Sequence, residues 1–250
     1  MTQKEITSLQ HPRVKHLVKL RQGSDYRQEC NRVLLSGRKL IKELSSSIRI
    51  RTLFLESGTI PSIEAEEIFF VTPEILKKVT GLENPEPIAA EIDMLNTQDL
   101  SSANFLLVLD GISDPGNLGT LLRTACALGW DGVFLTRGST DPYNEKALRA
   151  AKGATFTLPW KCGTREELSA LLQSRAMTVL AADTSGTDLH LCKISPPLAL
   201  ILGNESHGIS PELKNSAQSI AIPLMGRMES LNVASAGAIL MYDLKERSHG

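Results

Sequence analysis

Residues 105–127, FLLVLDGISDPGNLGTLLRTACA, read as a buried strand that breaks into glycines and polar residues and then resumes as a helix. Phe105–Leu109 is almost continuously apolar, the pattern of a parallel strand covered on both faces. Pro115-Gly116-Asn117-Leu118-Gly119 turns the chain into the helix. Glycines there permit close backbone approach, and free amides at a helix start favour an anion. The same order recurs downstream. The patterning predicts a helix over Leu118–Leu128, a strand over Gly132–Thr136, a helix over Glu145–Ala151 and a short strand over Thr155–Leu158. A helix over Glu166–Arg175 follows, then strands over Thr178–Ala182, Leu198–Leu202 and Ser219–Ile222, and a closing helix over Leu231–Lys245. Repeated strand-then-helix order specifies an α/β fold with a mainly parallel sheet. Ligands of such sheets bind beyond the C-terminal ends of the strands.

Two other segments share the character of the first. Leu200–Ile209, LILGNESHGI, and Ile222–Leu240, IPLMGRMESLNVASAGAIL, each run from apolar residues into glycines and polar side chains. Glu205 and His207 lack metal-ligand spacing, so a metal is not expected. Ser230 suits two roles equally, cap of the closing helix or part of a site. Ala234, Ser235, Ala236, Gly237 and Ala238 make a helix that must pack backbone-close, at a subunit interface or a tight chain crossing. Arg123, one turn past Gly119, either reaches to solvent or offers its planar donors to a phosphate or carboxylate. G-x-G-x-x-G is absent and no P-loop lysine follows the glycines, which argues against NAD and ATP.

Upstream, a smaller α/β pattern occupies residues 1–94. Helices are expected over His11–Gln22, Gly37–Leu44 and Pro73–Val79, with strands at Val33–Leu35, Thr52–Leu55, Glu67–Val71 and Ile88–Ile92. The polar stretch 95–104 reads as a linker, leaving 105–250 as the second domain. At 250 residues with 42% hydrophobic and 22% charged residues, two domains with proper cores are affordable. Residues 1–51 hold 12 Lys/Arg against 4 Asp/Glu, a balance of +8 on a chain whose net charge is −1. That asymmetry points to a polyanionic partner, unless it is only a solvated basic face. Aromatics are sparse there, so base stacking is not the expected mode. No apolar run reaches membrane-spanning length, no signal-peptide pattern opens the chain, and Cys30, Cys126, Cys162 and Cys192 are scattered. The expectation is a cytoplasmic, reduced, metal-free protein without a membrane.

Together the three segments resemble the signature motifs of the SpoU (TrmH-type) branch of the SPOUT RNA methyltransferases. Asn117-Leu-Gly119-Thr-Leu-Leu-Arg123-Thr-Ala125 is similar to the first motif and Leu202-Gly203-Asn-Glu205-Ser-His-Gly208 to the second. Ile222-Pro223-Leu-Met225 followed by Glu229-Ser230-Leu231-Asn232-Val233 is similar to the third. Lys146–Ala154 resembles the family's linking stretch, with Ala151 where a serine is common. Residues 33–40, VLLSGRKL, resemble the family's N-terminal RNA-binding extension, related to kink-turn-binding ribosomal proteins, with Ser36 in place of the usual acid.

The resemblance implies transfer of a methyl group from S-adenosyl-L-methionine to a ribose 2′-hydroxyl of a ribosomal or transfer RNA; the basic N-terminal domain favours rRNA, with tRNA as the alternative. The resemblance also implies a deep trefoil knot and a homodimer. Leu202, Gly203, Ile222, Leu224 and Leu231 would hold the cofactor; Arg123, Asn117, Glu205, Ser230 and Asn232 would form the catalytic set. A guanidinium stays protonated in proteins. Arg123 is therefore expected to bind a neighbouring phosphate and stabilise the developing alkoxide, oriented by Asn117. A dehydrogenase-type nucleotide enzyme and a non-catalytic RNA-binding protein of the same fold are the competing readings. The missing glycine fingerprint disfavours the first and the intact five-residue set disfavours the second.

Overall fold

A computed structural model of the chain describes residues 4–95 and 98–248. Two compact units divide it at residues 96–97, with Tyr143–Glu145 grouped with the first.

The first unit runs β1 (Lys4–Ile6), α1 (Pro12–Gln22), α2 (Ser24–Cys30), β2 (Arg32–Ser36), α3 (Arg38–Leu44), β3 (Ile50–Glu56), β4 (Glu67–Val71), α4 (Pro73–Thr80) and β5 (Ile88–Asp93). Its sheet is mixed, in the order β1-β4-β3-β5-β2, with β5 antiparallel to both neighbours. Helix α1 starts where Pro12 fits the first turn and the His11 ring accepts from the Arg13 amide. It buries Val14, Leu17 and Leu20 against Phe54, Phe69 and the apolar face of α4. Helix α2 escapes sequence patterning because SDYRQEC has no apolar stripe. The buried guanidinium of Arg27 holds it, donating to the carbonyls of Leu20 at 2.6 Å and Arg21 at 3.1 Å. Edge strand β1 is also unannounced in the sequence pattern.

The second unit continues with β6 (Phe105–Asp110), α5 (Pro115–Ala127), β7 (Gly132–Thr136), α6 (Glu145–Ala151), α7 (Ala154–Thr157), β8 (Trp160–Gly163), α8 (Arg165–Ser174), β9 (Thr178–Asp188), β10 (Leu198–Gly203), α9 (Pro211–Asn215), β11 (Gln218–Ala221) and α10 (Val233–Arg247). Every strand pairing described in its sheet is parallel, in the order β11-β9-β10-β6-β7-β8. Strands β6 and β10 lie at the centre, paired from Leu198–Phe105 to Gly203–Asp110. Both are buried on both faces, which is why they read as unbroken apolar runs.

Two expectations need correction here. Thr155–Leu158 is not a strand. The edge of β7 is taken by Trp160–Gly163 instead, and residues 154–157 turn helical with local bonds such as Leu158 N–H to Ala154 C=O at 2.9 Å. β-Branched composition favours strands only where a partner edge is available. The closing helix begins at Val233 rather than Leu231, and its cap is Asn232, not Ser230. The close packing expected of that helix is present. A methyl group on Gly237 would lie 2.5 Å from Leu121 of α5 and 2.7 Å from Leu202 of β10.

Candidate active site

The three polar segments meet at the C-terminal ends of β6 and β10. Asp114 caps α5 by accepting from the Asn117 amide at 2.8 Å, which sets Asn117 in the first turn. The Asn232 side-chain carbonyl caps α10, accepting from the amides of Ala234 at 2.9 Å and Ser235 at 3.4 Å. Its NH2 group therefore faces outward and donates to the Asn117 carbonyl at 3.1 Å. The Asn117 NH2 in turn donates to Glu205 Oε1 at 2.9 Å. A carboxylate only accepts and a capping carbonyl only accepts, so both amides have one consistent orientation.

Glu205 ties the second segment to the first. Its Oε2 accepts from the Ser113 amide at 3.2 Å and the Ser113 hydroxyl at 2.9 Å, and Oε1 also accepts from the Asp114 amide at 3.2 Å. Burial alone would raise its pKa. The donors, led by the Asn117 amide, outweigh burial and bring it to about 2. The loop carrying it is tight: Asn204 and Gly208 exchange backbone hydrogen bonds at 3.0 and 2.9 Å, and Asn204 Oδ1 accepts from the amides of Ser206 and His207.

An open pocket of about 890 Å³ lies against these segments, within the range of small-molecule sites. All five residues expected to hold a cofactor, Leu202, Gly203, Ile222, Leu224 and Leu231, line it, as do Glu205, Ser230 and Asn232. Leu224 and Leu231 remain 37% and 39% exposed there. Apolar side chains left open beside polar groups fit an amphipathic ligand such as an adenosine bearing a thioether or sulfonium chain. Asp183 also lines the pocket, and its pKa falls to about 2. The Lys214 ammonium is the main cause, and the Ser185 amide (2.9 Å) and hydroxyl (2.7 Å) add to it.

Two members of the expected catalytic set stand apart. Ser230 lines the pocket without joining the hydrogen-bonded chain of Asn232, Asn117 and Glu205. Arg123 is exposed on α5, is not among the pocket-lining residues, and makes no hydrogen bond to Asn117, whose side chain is committed to Glu205 and Asn232. The orienting contact expected between Asn117 and Arg123 is therefore not made. Six residues separate them, about 9 Å along the helix axis and off the same face. Sequence reasoning missed Asn204, Asp183 and Asp110 as organisers of the site. Each is a lone polar residue whose partners lie far along the chain or in a loop. No group of three or more His, Cys, Asp or Glu able to hold a metal occurs among the described residues.

The basic segment of the first unit is largely neutralised from within. Lys4 and Arg13 pair with Glu67, Arg49 and Arg51 with Glu66, and Arg32 and Arg51 with Asp93. Residues 1–95 hold 14 Lys/Arg and 13 Asp/Glu, so the unit as a whole is almost balanced. The basic segment and its acidic complement belong to one domain, not to two. Arg38 and Lys42 on α3 and Lys15 on α1 are exposed and make no ion pair among the described residues.

Residues 104–242 match the SpoU rRNA Methylase family, and residues 11–90 match the MRM3-like substrate binding domain. The chain is 34% identical over 248 residues to the 23S rRNA (guanosine(2553)-2′-O)-methyltransferase RlmP of Bacillus subtilis, covering 97% of this chain and 99% of that one. The AdoMet-bound rRNA methyltransferase of Sinorhizobium meliloti superposes with a TM-score of 0.86 at 29% identity, covering 98% of each chain. A putative RNA methyltransferase of the TrmH family from Porphyromonas gingivalis gives a TM-score of 0.85 at 29% identity, over 96% of this chain and 99% of that one.

Proposed function

The chain belongs to the SpoU rRNA methylase family, and on that premise we infer that it is an S-adenosylmethionine-dependent RNA 2′-O-methyltransferase acting on ribosomal RNA. The observation that carries this reading is the joining of Asn117, Glu205 and Asn232 beside a pocket lined by all five expected cofactor residues. When bound, S-adenosylmethionine supplies a methyl group already activated on a sulfonium. The chain's own task is alignment and charge stabilisation. Glu205, ionised down to about pH 2, is a poor proton acceptor near neutrality. Its role is to hold Asn117 and the start of α5, not to take the 2′-hydroxyl proton. Arg123 supplies a fixed cation for a phosphate and the developing alkoxide.

The protein acts as a homodimer in this reading. Arg123 lies outside the lining of its own chain's pocket, and α10 leaves Ile239 and Tyr242 exposed at 44% and 57%. A second copy against that face would cover these side chains and bring Arg123 to a pocket. The trefoil knot is supported by chain order: β10 is followed by β11 on the far side of β9, and α10 then returns to pack on α5 and β10. Residues 1–94 serve as the RNA-binding domain, with 105–250 as the methyltransferase domain. A cytoplasmic site of action accords with an rRNA substrate, and no described helix is long and apolar enough to cross a membrane.

The test is methyl transfer by the purified protein from radiolabelled S-adenosylmethionine to 23S rRNA, 16S rRNA and tRNA. Incorporation into ribosomal RNA as an alkali-resistant 2′-O-methyl dinucleotide is expected. The RlmP relative is named for guanosine 2553 of 23S rRNA, so that position is the first to map. Incorporation into tRNA alone would replace the substrate, and none into any RNA would sink the reading.

A further inference from the structure

We propose that the buried carboxylate of Asp110, with Arg165 as its counter-charge, is the positioning group that closes residues 203–210 into the loop holding Glu205. Asp110 ends β6 and is 2% exposed. A carboxylate so placed is costly unless its acceptor positions are filled. They are filled from three distant elements. Oδ1 accepts from the Thr136 hydroxyl of β7 at 2.9 Å and from Nε and Nη2 of Arg165 on α8 at 3.2 and 3.1 Å. Oδ2 accepts from the Ser210 amide at 2.8 Å.

The Ser210 bond gives this cluster a function beyond packing. The loop departs from Gly203, the residue paired with Asp110 across the sheet. It returns to Asp110 at Ser210. A second tie sits beside the first, with the Asn204 NH2 donating to the Gly111 carbonyl at 2.7 Å. Between these anchors the backbone folds back on itself so closely that a methyl group on Gly203 would lie 2.3 Å from Gly208 and Ile209. Gly203, Asn204, Glu205, His207, Gly208 and Ile209 all line the cofactor pocket, whereas Asp110 and Arg165 do not. Asp110 therefore acts on the pocket only through the loop. Arg165 is aimed by its place at the start of α8, where Thr164 and Glu167 form a reciprocal cap with bonds of 3.2 and 2.7 Å. The acceptor must be a carboxylate because donors approach both oxygens. An asparagine offers one carbonyl and must release either Ser210 or the Thr136–Arg165 pair.

The test compares the full-length protein with Asp110→Asn, Arg165→Gln and Arg165→Lys. It reads the S-adenosylmethionine Kd by calorimetry, amide exchange over 203–210, and the KM for RNA; the Kd and the KM rest on the cofactor reading above, and the exchange does not. Asp110→Asn is expected to raise the Kd by about 10-fold or more, the loss of one charge-assisted hydrogen bond. Faster exchange is expected to be confined to 203–210, with the RNA KM unchanged. Arg165→Gln shifts both in the same direction by less, and Arg165→Lys falls between it and the wild type, since lysine keeps the charge without the two-nitrogen contact. Unchanged Kd and exchange in folded Asp110→Asn overturn the proposal, as does faster exchange spread over the whole sheet. If Asp110→Asn does not fold, unchanged affinity and exchange in Arg165→Gln overturn it instead. Wild-type protein that binds no S-adenosylmethionine contradicts the cofactor reading, while the exchange pattern still decides the role of Asp110.

Discussion

The two units use polar side chains in opposite ways. In the C-terminal unit three side chains from separate segments form one directional chain, Asn232 to Asn117 to Glu205, across 115 and 88 residues of sequence. Each link fixes the orientation of the next, and replacing any member breaks the sequence of donors and acceptors. In the N-terminal unit cations and acids share partners: Glu67 takes both Lys4 and Arg13, and Arg51 bridges Glu66 and Asp93. Such partly exposed pairs are interchangeable and each contributes little. Hydrogen-bonded amides at strand ends specify a geometry, whereas a count of charges specifies only a local balance.

Arg123→Ala is expected to lower methyl-transfer kcat by ~100- to 1,000-fold with the S-adenosylmethionine Kd unchanged, as for loss of a charge-stabilising donor. Near-full turnover in Arg123→Lys would remove the need for a planar, two-pronged donor. Next comes Asn117→Asp, which sets a carboxylate against Glu205 where an NH2 now sits at 2.9 Å. It should destabilise the C-terminal unit more than Asn117→Ala in urea unfolding, by about 1 kcal/mol, because the pair is exposed and water screens the repulsion. Equal losses in the two variants would mean that the chain of amides is not directional. Gly237→Ala should cost roughly 1–3 kcal/mol in thermal melts, because Leu121 and Leu202 must give way.

The pH dependence is smaller and has a definite sign. Glu205 and Asp183 have folded-state pKa values near 2, below their ordinary values of 4.5 and 3.8. Their contributions are fully present above those ordinary values and are lost as the pH falls from about 4.5 toward 2. Acid unfolding followed by circular dichroism should show Glu205→Gln flattening the upper part of that window; an unaltered profile would mean that the Glu205 donors contribute nothing to folding. Last, Arg38→Gln and Lys42→Gln should each reduce the log–log salt slope of RNA binding by about 1, because these exposed cations make no ion pair among the described residues. Arg51→Gln, already paired twice, should leave the slope unchanged. Equal slope changes in all three would erase the distinction between free and committed cations.

How much of this was legible beforehand follows the same division. Strands β6 and β10 announce themselves because burial on both faces leaves only apolar residues. The three polar segments were legible as strand ends, and all five expected cofactor residues do line one pocket. Capping by Asn232 instead of Ser230 was not, since both are good caps and only the Asn117 contact distinguishes them. Helix α7 is not legible in the sequence because Thr155 and Thr157 carry strand propensity, and no local signal says that Trp160–Gly163 will take the β7 edge. Asp110 gave no signal because its partners lie 26, 55 and 100 residues away. The +8 of residues 1–51 was real, but its complement at 52–95 lies folded against it.

The most direct test of the central claim is a transcriptome-wide map of ribose 2′-O-methylation in cells with the gene, without it, and complemented by wild type or Arg123→Ala. Loss of one ribosomal RNA mark is expected on deletion, restored by the wild type and not by the variant. Retention of every ribosomal mark in the deletion strain would contradict the claim.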